Sequence, residues 1–406
     1  MTRIRILPEG WEKERLEMVS KIQTGIAKNQ NVQREVIELP YLRVANVQDG
    51  FLDLSEVKTI KVRKDRVSRY SLEIGDVLLT EGGDFDKLGR GAVWDGQIEN
   101  CVHQNHVFVV RPQKTKLLPR FFSAQTSSSY GKRYFLSCSK QSTNLASINS
   151  IQLKAFPVLL PPLPEQKAIA DLLSTWDKAI EKTERLIWAK EKRFKRLLND
   201  LIYVPTVEGK WKQVTTKSLF KERHETKQDD LPLLAITNGE GVIPREDTNR
   251  KDTSNKDKSK YRRICPGDIG YNTMRMWQGV SALSTMEGIV SPAYTICIPG
   301  DKLYPQFVAY LFKMPFMIHR FYRYSQGLTS DTWNLKFPHF SEVRMPFPSL
   351  EEQQKIAETL NSAKQEIDLL KQLSEKYKTQ KRGLMQKMLT GEWRVKPEIV
   401  KQYEEV

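Results

Sequence analysis

The chain is written twice, and that repetition constrains its fold more than any other feature. Leu39-Pro40-Tyr41-Leu42 returns as Leu231-Pro232-Leu233-Leu234, and Ile74-Gly75-Asp76-Val77 returns as Pro266-Gly267-Asp268-Ile269, both at an offset of 192 residues. Gly10-Trp11-Glu12 is answered by Gly209-Lys210-Trp211. Asn144-Leu145 meets Asn334-Leu335 at 190, and Glu165-Gln166-Lys167-Ala168-Ile169-Ala170 meets Glu352-Gln353-Gln354-Lys355-Ile356-Ala357 at 187. From there the copies align without a gap to Leu201-Ile202 and Met388-Leu389. The drifting offset reads as a few loop deletions. A repeat of about 190 residues is too long for a solenoid unit, so the chain is two diverged halves.

Each half has two parts. The first mixes short strand-like runs, such as His106–Val110 and Tyr294–Ile298, with Gly/Asn/Asp turns. Leu117–Tyr130 and Pro305–Tyr322 read as helices, which makes these parts compact α+β domains. Arg245–Arg263 is polar and Lys-rich and reads as a surface loop. The second part is a long helix. After Pro161-Pro162-Leu163-Pro164, positions 165–202 predict a helix of about 57 Å at ~1.5 Å per residue. In the other copy Ser349 and Glu352 have capping-box spacing.

The helices carry heptads. In the first, Leu173, Ile180, Ile187, Phe194 and Leu201 fall seven apart, beside Ile169, Trp176, Thr183, Lys190 and Leu197. In the second, Ile356, Ala363, Leu370, Tyr377 and Leu384 run beside Leu360, Ile367, Ser374, Lys381 and Met388. This pattern predicts pairing, and a helix of that length overhangs a domain of about 150 residues. The expected architecture is α+β: two similar globular domains separated by two long helices paired as an antiparallel coiled coil, with a pseudo-two-fold internal repeat. The domain boundaries follow as 1–158, 159–206, 207–346 and 347–406.

Composition narrows the partner. Sixty-five Lys+Arg against 49 Asp+Glu give a net charge of +16 and a pI near 9.5. A cationic surface suits a polyanion, because neutralised phosphates release condensed counterions. No apolar run approaches the ~18 residues of a membrane span. Met1–Ile6 lacks an apolar export signal, so a cytoplasmic protein is expected. Cys101, Cys138, Cys265 and Cys297 are scattered and form neither a disulfide framework nor a zinc motif.

Along essentially its whole length the chain resembles the DNA-specificity subunits of type I restriction–modification enzymes. The Gly-Trp openings, the segments Leu39–Asn46 and Leu231–Asn238, and the Gly-Asp-Val/Ile turns carry the resemblance. So do the two junctions, Ser139–Leu145 with Phe156–Ile169, and Gly327–Leu335 with Pro346–Gln353, and the tail Leu389–Val395. The resemblance implies two target-recognition domains and double-stranded DNA with a bipartite target. It implies two modification subunits that bring S-adenosylmethionine and methylate adenine. Restriction subunits, where present, would bring ATP and Mg for translocation and cleavage. It implies no cofactor, metal or catalytic residue on this chain.

The motif search agrees with a non-catalytic reader. Gly131-Lys132 and Gly209-Lys210 lack the rest of a phosphate loop. Glu165-Gln166-Lys167 contains the Glu-x-Lys of a nuclease but reads better as a helix start, and Gly89-Arg90-Gly91 as a turn. Cys101, His103 and His106 can be drawn as a metal site, but they enter the strand-like Val107–Val110 without a fourth ligand. Candidate DNA contacts are Lys87, Arg90, Arg133, Lys140 and Gln141 in polar turns of the first domain, with Asn144. In the second they are Arg275, Gln278, Arg323, Gln326 and Trp333. Arg reads guanine and Gln adenine, although half or more of such contacts go to phosphates. Asn144 and Asn334 serve equally to hold turns, and Trp188 and Arg185 face outward as partner contacts or coil flank. Two other functions stand beside the reader: an architectural DNA-binding coiled coil without sequence preference, and an enzyme with an unrecognised site.

Overall fold

The computed structural model describes residues 7–27, 35–83, 88–141, 146–248, 257–329 and 332–404. Two compact units divide the chain, Met1–Glu184 with Gln372–Val406, and Arg185–Lys371. Their borders fall inside the two long helices, Leu163–Leu198 and Leu350–Met388.

In the first unit a four-stranded antiparallel sheet runs Ser20–Thr24, Val107–Pro112, Val77–Thr80, Gly91–Val93. In the second the order is Phe220–Glu222, Tyr294–Pro299, Ile269–Asn272, Ser281–Leu283. The two sheets use corresponding parts of the repeat, and each central strand is preceded by the same turn. Gly75 (φ +96°) and Gly267 (φ +92°) take the left-handed backbone that glycine alone adopts freely. The next residue, Asp76 or Asp268, closes the turn by accepting from the Glu73 or Cys265 N–H at 2.8 Å. Each buried carboxylate also holds a guanidinium. Arg111 on the strand Val107–Pro112 binds Asp76 at 2.7 and 2.8 Å, whereas Arg223, just after Phe220–Glu222, binds Asp268 at 2.8 and 3.1 Å. The halves thus neutralise the same repeated carboxylate from two different places in the sheet.

Helix boundaries differ from the sequence expectation where local chemistry intervenes. The run 117–130 is broken into Pro119–Ser127 and Ser129–Cys138, because Ser128 leaves the helical region (ψ 165°) and caps the second helix. The run 305–322 breaks into Pro305–Leu311 and Pro315–Tyr324, since the residue before a proline is held extended (Met314, ψ 135°). The first long helix starts at Leu163 and ends at Leu198, followed by a wider π turn, Asn199–Tyr203, that takes in Leu201. The strand expected from His106 begins at Val107. Of the expected loop 245–263, residues 249–256 lie outside the described residues. Its end is strand: Arg262–Ile264 pairs with Gly288–Val290, and Arg262 and Arg263 form ion pairs with Glu222 and with Glu225 and Glu287.

Both long helices begin with the same knot of hydrogen bonds. Gln166 accepts from the Leu118 N–H and donates to the Lys116 and Pro161 carbonyls, each at 2.9 Å. Gln353 accepts from the Tyr304 N–H at 2.8 Å and donates to the Lys302 and Pro348 carbonyls at 3.1 and 3.0 Å. A buried glutamine that satisfies three backbone groups fixes the direction in which each helix leaves its domain. Of the expected capping box only half forms. Ser349 Oγ accepts from the Glu352 N–H, while the Glu352 carboxylate is taken by Trp211.

Heptad positions are buried or half-buried, and the positions between them are mostly exposed. Their surroundings differ along the helix. Leu173 packs into the core of the first unit, with Leu384 against it; Ile356 and Leu360 belong to the core of the second, with Phe194 and Leu201 against it. Ile180, Ile187, Ile367 and Leu370 lie between these ends. In the first unit Trp176 meets Tyr377 edge to face at 5.6 Å, Asp177 pairs with Lys381, and Glu184 pairs with Lys378 at 3.0 Å. In the second unit Lys190 pairs with Glu366 at 2.5 Å and Glu191 with Lys371 at 2.6 Å. No helix among the described residues is long and apolar enough to cross a membrane.

Candidate nucleic-acid interface

In the second unit the structure brings all five candidates together. Arg275 and Gln278 sit on the turn after the central strand, and both are exposed. The turn ends at Gly279 (φ +77°), where a Cβ would lie 2.7 Å from the Ile318 side chain. The close approach presses this turn onto the helix Pro315–Tyr324, which carries Arg323 in its last turn. Gln326 and Asn334 then close a loop by exchanging backbone hydrogen bonds of 2.8 Å. Trp333 in that loop meets Trp277 at 5.1 Å and Tyr322 at 4.9 Å, both edge to face. Asn334 holds the turn: its side chain donates to the Thr332 and Gln326 carbonyls.

The first unit builds its counterpart with different side chains. Gly89 (φ +66°) leaves no room for a Cβ against the Phe135 ring, which ties the turn bearing Arg90 to the helix Ser129–Cys138. Arg133 lies on that helix, not in a turn, and its Nε donates to the Ser129 carbonyl at 3.0 Å. Lys140, exposed, and Gln141 form a short strand paired with Ala146–Ser147, which in turn pairs with Gly82–Gly83. Arg90 donates to Gln48 at 3.3 Å. Lys87 and Asn144 lie outside the described residues.

Sequence reading missed Lys313. Counted from Pro119 and Pro305, it stands where the first unit has Ser127. Its ammonium donates to Asn238 Oδ1 at 2.7 Å and to the Gly279 carbonyl at 2.8 Å, joining two loops. Burial, with Lys364 nearby, pushes its pKa down to about 8. Nothing in a lone lysine before Met-Pro signals this role.

The drawn metal site does not assemble. Burial pushes the Cys101 thiol up to about 12 and the His103 imidazole down to about 4. His103 Nδ1 is engaged by the Val107 carbonyl at 2.7 Å, and His106 faces Glu81 instead. A groove of about 850 Å³ in the first unit, lined by Asp49, Arg120, Lys132, Asp177 and Lys381, carries charges of both signs.

Comparison with known proteins shows the family and the fold. Residues 8–187 and 289–378 match the family described as the type I restriction modification DNA specificity domain. A Methanocaldococcus jannaschii protein named as the MjaX specificity subunit of a type I restriction enzyme is 24% identical, over 97% of this chain and 96% of its own. The EcoKI specificity subunit of Escherichia coli is 25% identical over 37% of this chain and 32% of its own. The fold is similar to that of the HsdS subunit from Thermoanaerobacter tengcongensis (TM-score 0.53, 16% identity, 97% of this chain and 100% of that one). It is also similar to that of the type I system S subunit from M. genitalium (TM-score 0.58, 15% identity, 96% and 99%).

Proposed function

The chain belongs to the type I restriction–modification DNA specificity family, and from that premise we propose that it is the sequence-specific DNA-recognition subunit of such a complex. Each globular domain reads one half of a bipartite target in double-stranded DNA. The two long helices, paired as an antiparallel coiled coil in a pseudo-two-fold repeat, set the unread spacer and dock two modification subunits. Adenine methylation with S-adenosylmethionine, and any ATP- and Mg-dependent cleavage, belong to those modification subunits and to restriction subunits.

One observation supports the reading: the same frame is built twice and carries different side chains. The buried Gly-Asp turn, the left-handed Gly89 or Gly279 and the Gln166 or Gln353 knot recur. The exposed residues are Arg133 and Lys140 in one unit, and Arg275 and Gln278 in the other, with Arg90 and Trp333 half-buried beside them. A non-specific binder has no use for two different readers on one frame. Helix pairing is supported by ion pairs whose second residue number falls as the first rises, Asp177–Lys381 and then Glu184–Lys378. Docking is supported by apolar side chains left outside the seam, Leu172 (38% exposed) in the first unit and Trp188 (64%) and Leu369 (57%) in the second.

Single-molecule sequencing of DNA from an unmethylated host that co-expresses this chain with its modification subunit tests the proposal. The expected result is a split motif with modified adenines and a fixed gap. An unsplit motif would refute the two-reader arrangement, and no methylation by a well-expressed complex would refute the reader.

A further inference from the structure

Around Trp333 the second unit is apolar at a place where its interface is otherwise cationic. The helix Pro315–Tyr324 already fills the core with Met317 and Phe321, and the neighbouring turn does so with Met276. Adjacent residues turn outward instead: Met274 and Tyr322 are each 42% exposed, and Leu328 is 101% exposed. Leu328 is not on a frayed end. It belongs to the loop that the Gln326–Asn334 bridge closes, and the Trp333 and Thr332 N–H groups both donate to the Thr329 carbonyl. Gly327 precedes it at φ +137°, where a Cβ would lie 2.7 Å from the Thr332 carbonyl carbon. The loop is therefore shaped to hold one apolar side chain in water.

The charge around this patch selects its partner. Residues 271–281 and 315–334 contain Arg275, Arg320, Arg323 and His319 against a single acidic residue, Asp331. A rim in which cations outnumber the one carboxylate suits a polyanion. On duplex DNA the apolar feature exposed in the major groove is the thymine C5-methyl group, which adenine, guanine and cytosine lack.

We infer that the apolar patch around Leu328 reads a thymine C5-methyl group in the half-site bound by the second unit. Leu328 and the Trp333 cluster take the methyl out of water, while Arg275 and Arg323 hold the flanking phosphates or base edges. This inference rests on the DNA-reading function proposed above.

Uracil pairs as thymine does and lacks only the methyl, so it isolates this contact. The full-length chain, purified with its modification subunits, is first used to select its motif from a pool of random duplexes. Each thymine of that motif is then replaced by uracil in turn, and binding is measured for the wild type, Leu328→Ser and Arg90→Ala. The expected result is one thymine whose replacement weakens wild-type binding about three- to fivefold, the worth of one methyl group moved from water. Leu328→Ser removes that difference and Arg90→Ala leaves it. Leu328 touches no core, so its replacement leaves the fold intact. A motif that is selected but indifferent to uracil everywhere overturns the inference and leaves the reader standing. So does a Leu328→Ser protein that keeps the full thymine preference, or one that loses its modification subunits instead, which would make the patch a protein-docking surface. A pool that yields no motif overturns the reading beneath it as well.

Discussion

The Trp11 indole donates to the Glu165 carboxylate at 3.1 Å, and Glu165 is only 1% exposed. Trp211 repeats the bond to Glu352 at 3.0 Å, yet Glu352 is exposed. The difference is Arg394. Its Nε and Nη2 grip Glu165 at 3.0 and 2.6 Å, and its Nη1 donates to the Glu9 carbonyl at 2.9 Å. One link therefore has two different energies in the two halves.

Removing Arg394 leaves a buried carboxylate with one neutral donor. Arg394→Ala is expected to cost about 2–3 kcal/mol, below the full value for a buried pair because the guanidinium is partly in water. Trp11→Phe removes a hydrogen bond to a carboxylate and part of a buried indole, and costs about 2–3 kcal/mol; Trp211→Phe loses the same ring volume but costs about 1 kcal/mol less, since water replaces the indole at Glu352. Urea unfolding followed by far-UV circular dichroism orders the three variants. Equal losses from Trp11→Phe and Trp211→Phe would refute the account.

Gly327 makes a separable prediction. Gly327→Ala places a methyl against the Thr332 backbone and strains the left-handed turn, so the loop bearing Leu328 and Trp333 must move. Global stability should fall by no more than about 1 kcal/mol, because an exposed loop carries little of the core. Discrimination between the target and a duplex altered in the second unit's half-site should fall severalfold. Competition binding at fixed salt checks this, and unchanged discrimination counts against a role for the loop.

These cases show what the sequence can and cannot disclose. Trp11, Glu165, Trp211 and Glu352 were legible as recurring letters, but a letter does not say that one indole bonds a glutamate 154 positions away. The heptads located the helices, while their boundaries were set by Pro164 in the first turn and by the π turn at Asn199–Tyr203, which periodicity does not encode. The breaks at Ser128 and Met314 had local signals, a capping serine and a following proline. Trp333 was legible as a lone candidate, but its cluster with Trp277 and Tyr322 was not, because it exists only after the turn Met276–Gln278 has packed on the helix Pro315–Tyr324. Lys313 was invisible for the same reason.

Lys313 supplies a pH test. Its folded pKa, about 8, lies below the 10.5 of an unperturbed lysine, so between those values the unfolded chain binds more protons. Folding of the second unit should therefore gain stability as pH rises from about 8 toward 10.5. The cost of holding the ammonium is fully present below pH 8. Solvent at the partly exposed amine limits the gain to about 1–2 kcal/mol. Lys313→Met should flatten this part of the profile. The measurement is the difference between wild-type and Lys313→Met urea midpoints at pH 7, 8.5 and 10, and parallel profiles would show that the buried amine is not the source.

Arg275 and Lys140 separate reading from positioning. Arg275 stands on the turn that Gly279 presses onto the helix, with Gln278 and the Trp277–Trp333 pair beside it, a rigid base for a fork that reads guanine. Lys140 is an exposed point charge on a two-residue strand. If Arg275 reads a base, Arg275→Ala costs about 1–3 kcal/mol on the target, little on random DNA, and relaxes one position of one half-site. Lys140→Ala should instead weaken target and random duplexes alike and reduce the slope of log K against log salt by about 1. Titrations at several salt concentrations with both duplexes measure all four quantities. A uniform loss for Arg275→Ala would move that residue to the phosphates. Selectivity would then rest on Gln278 and the loop beyond Gln326.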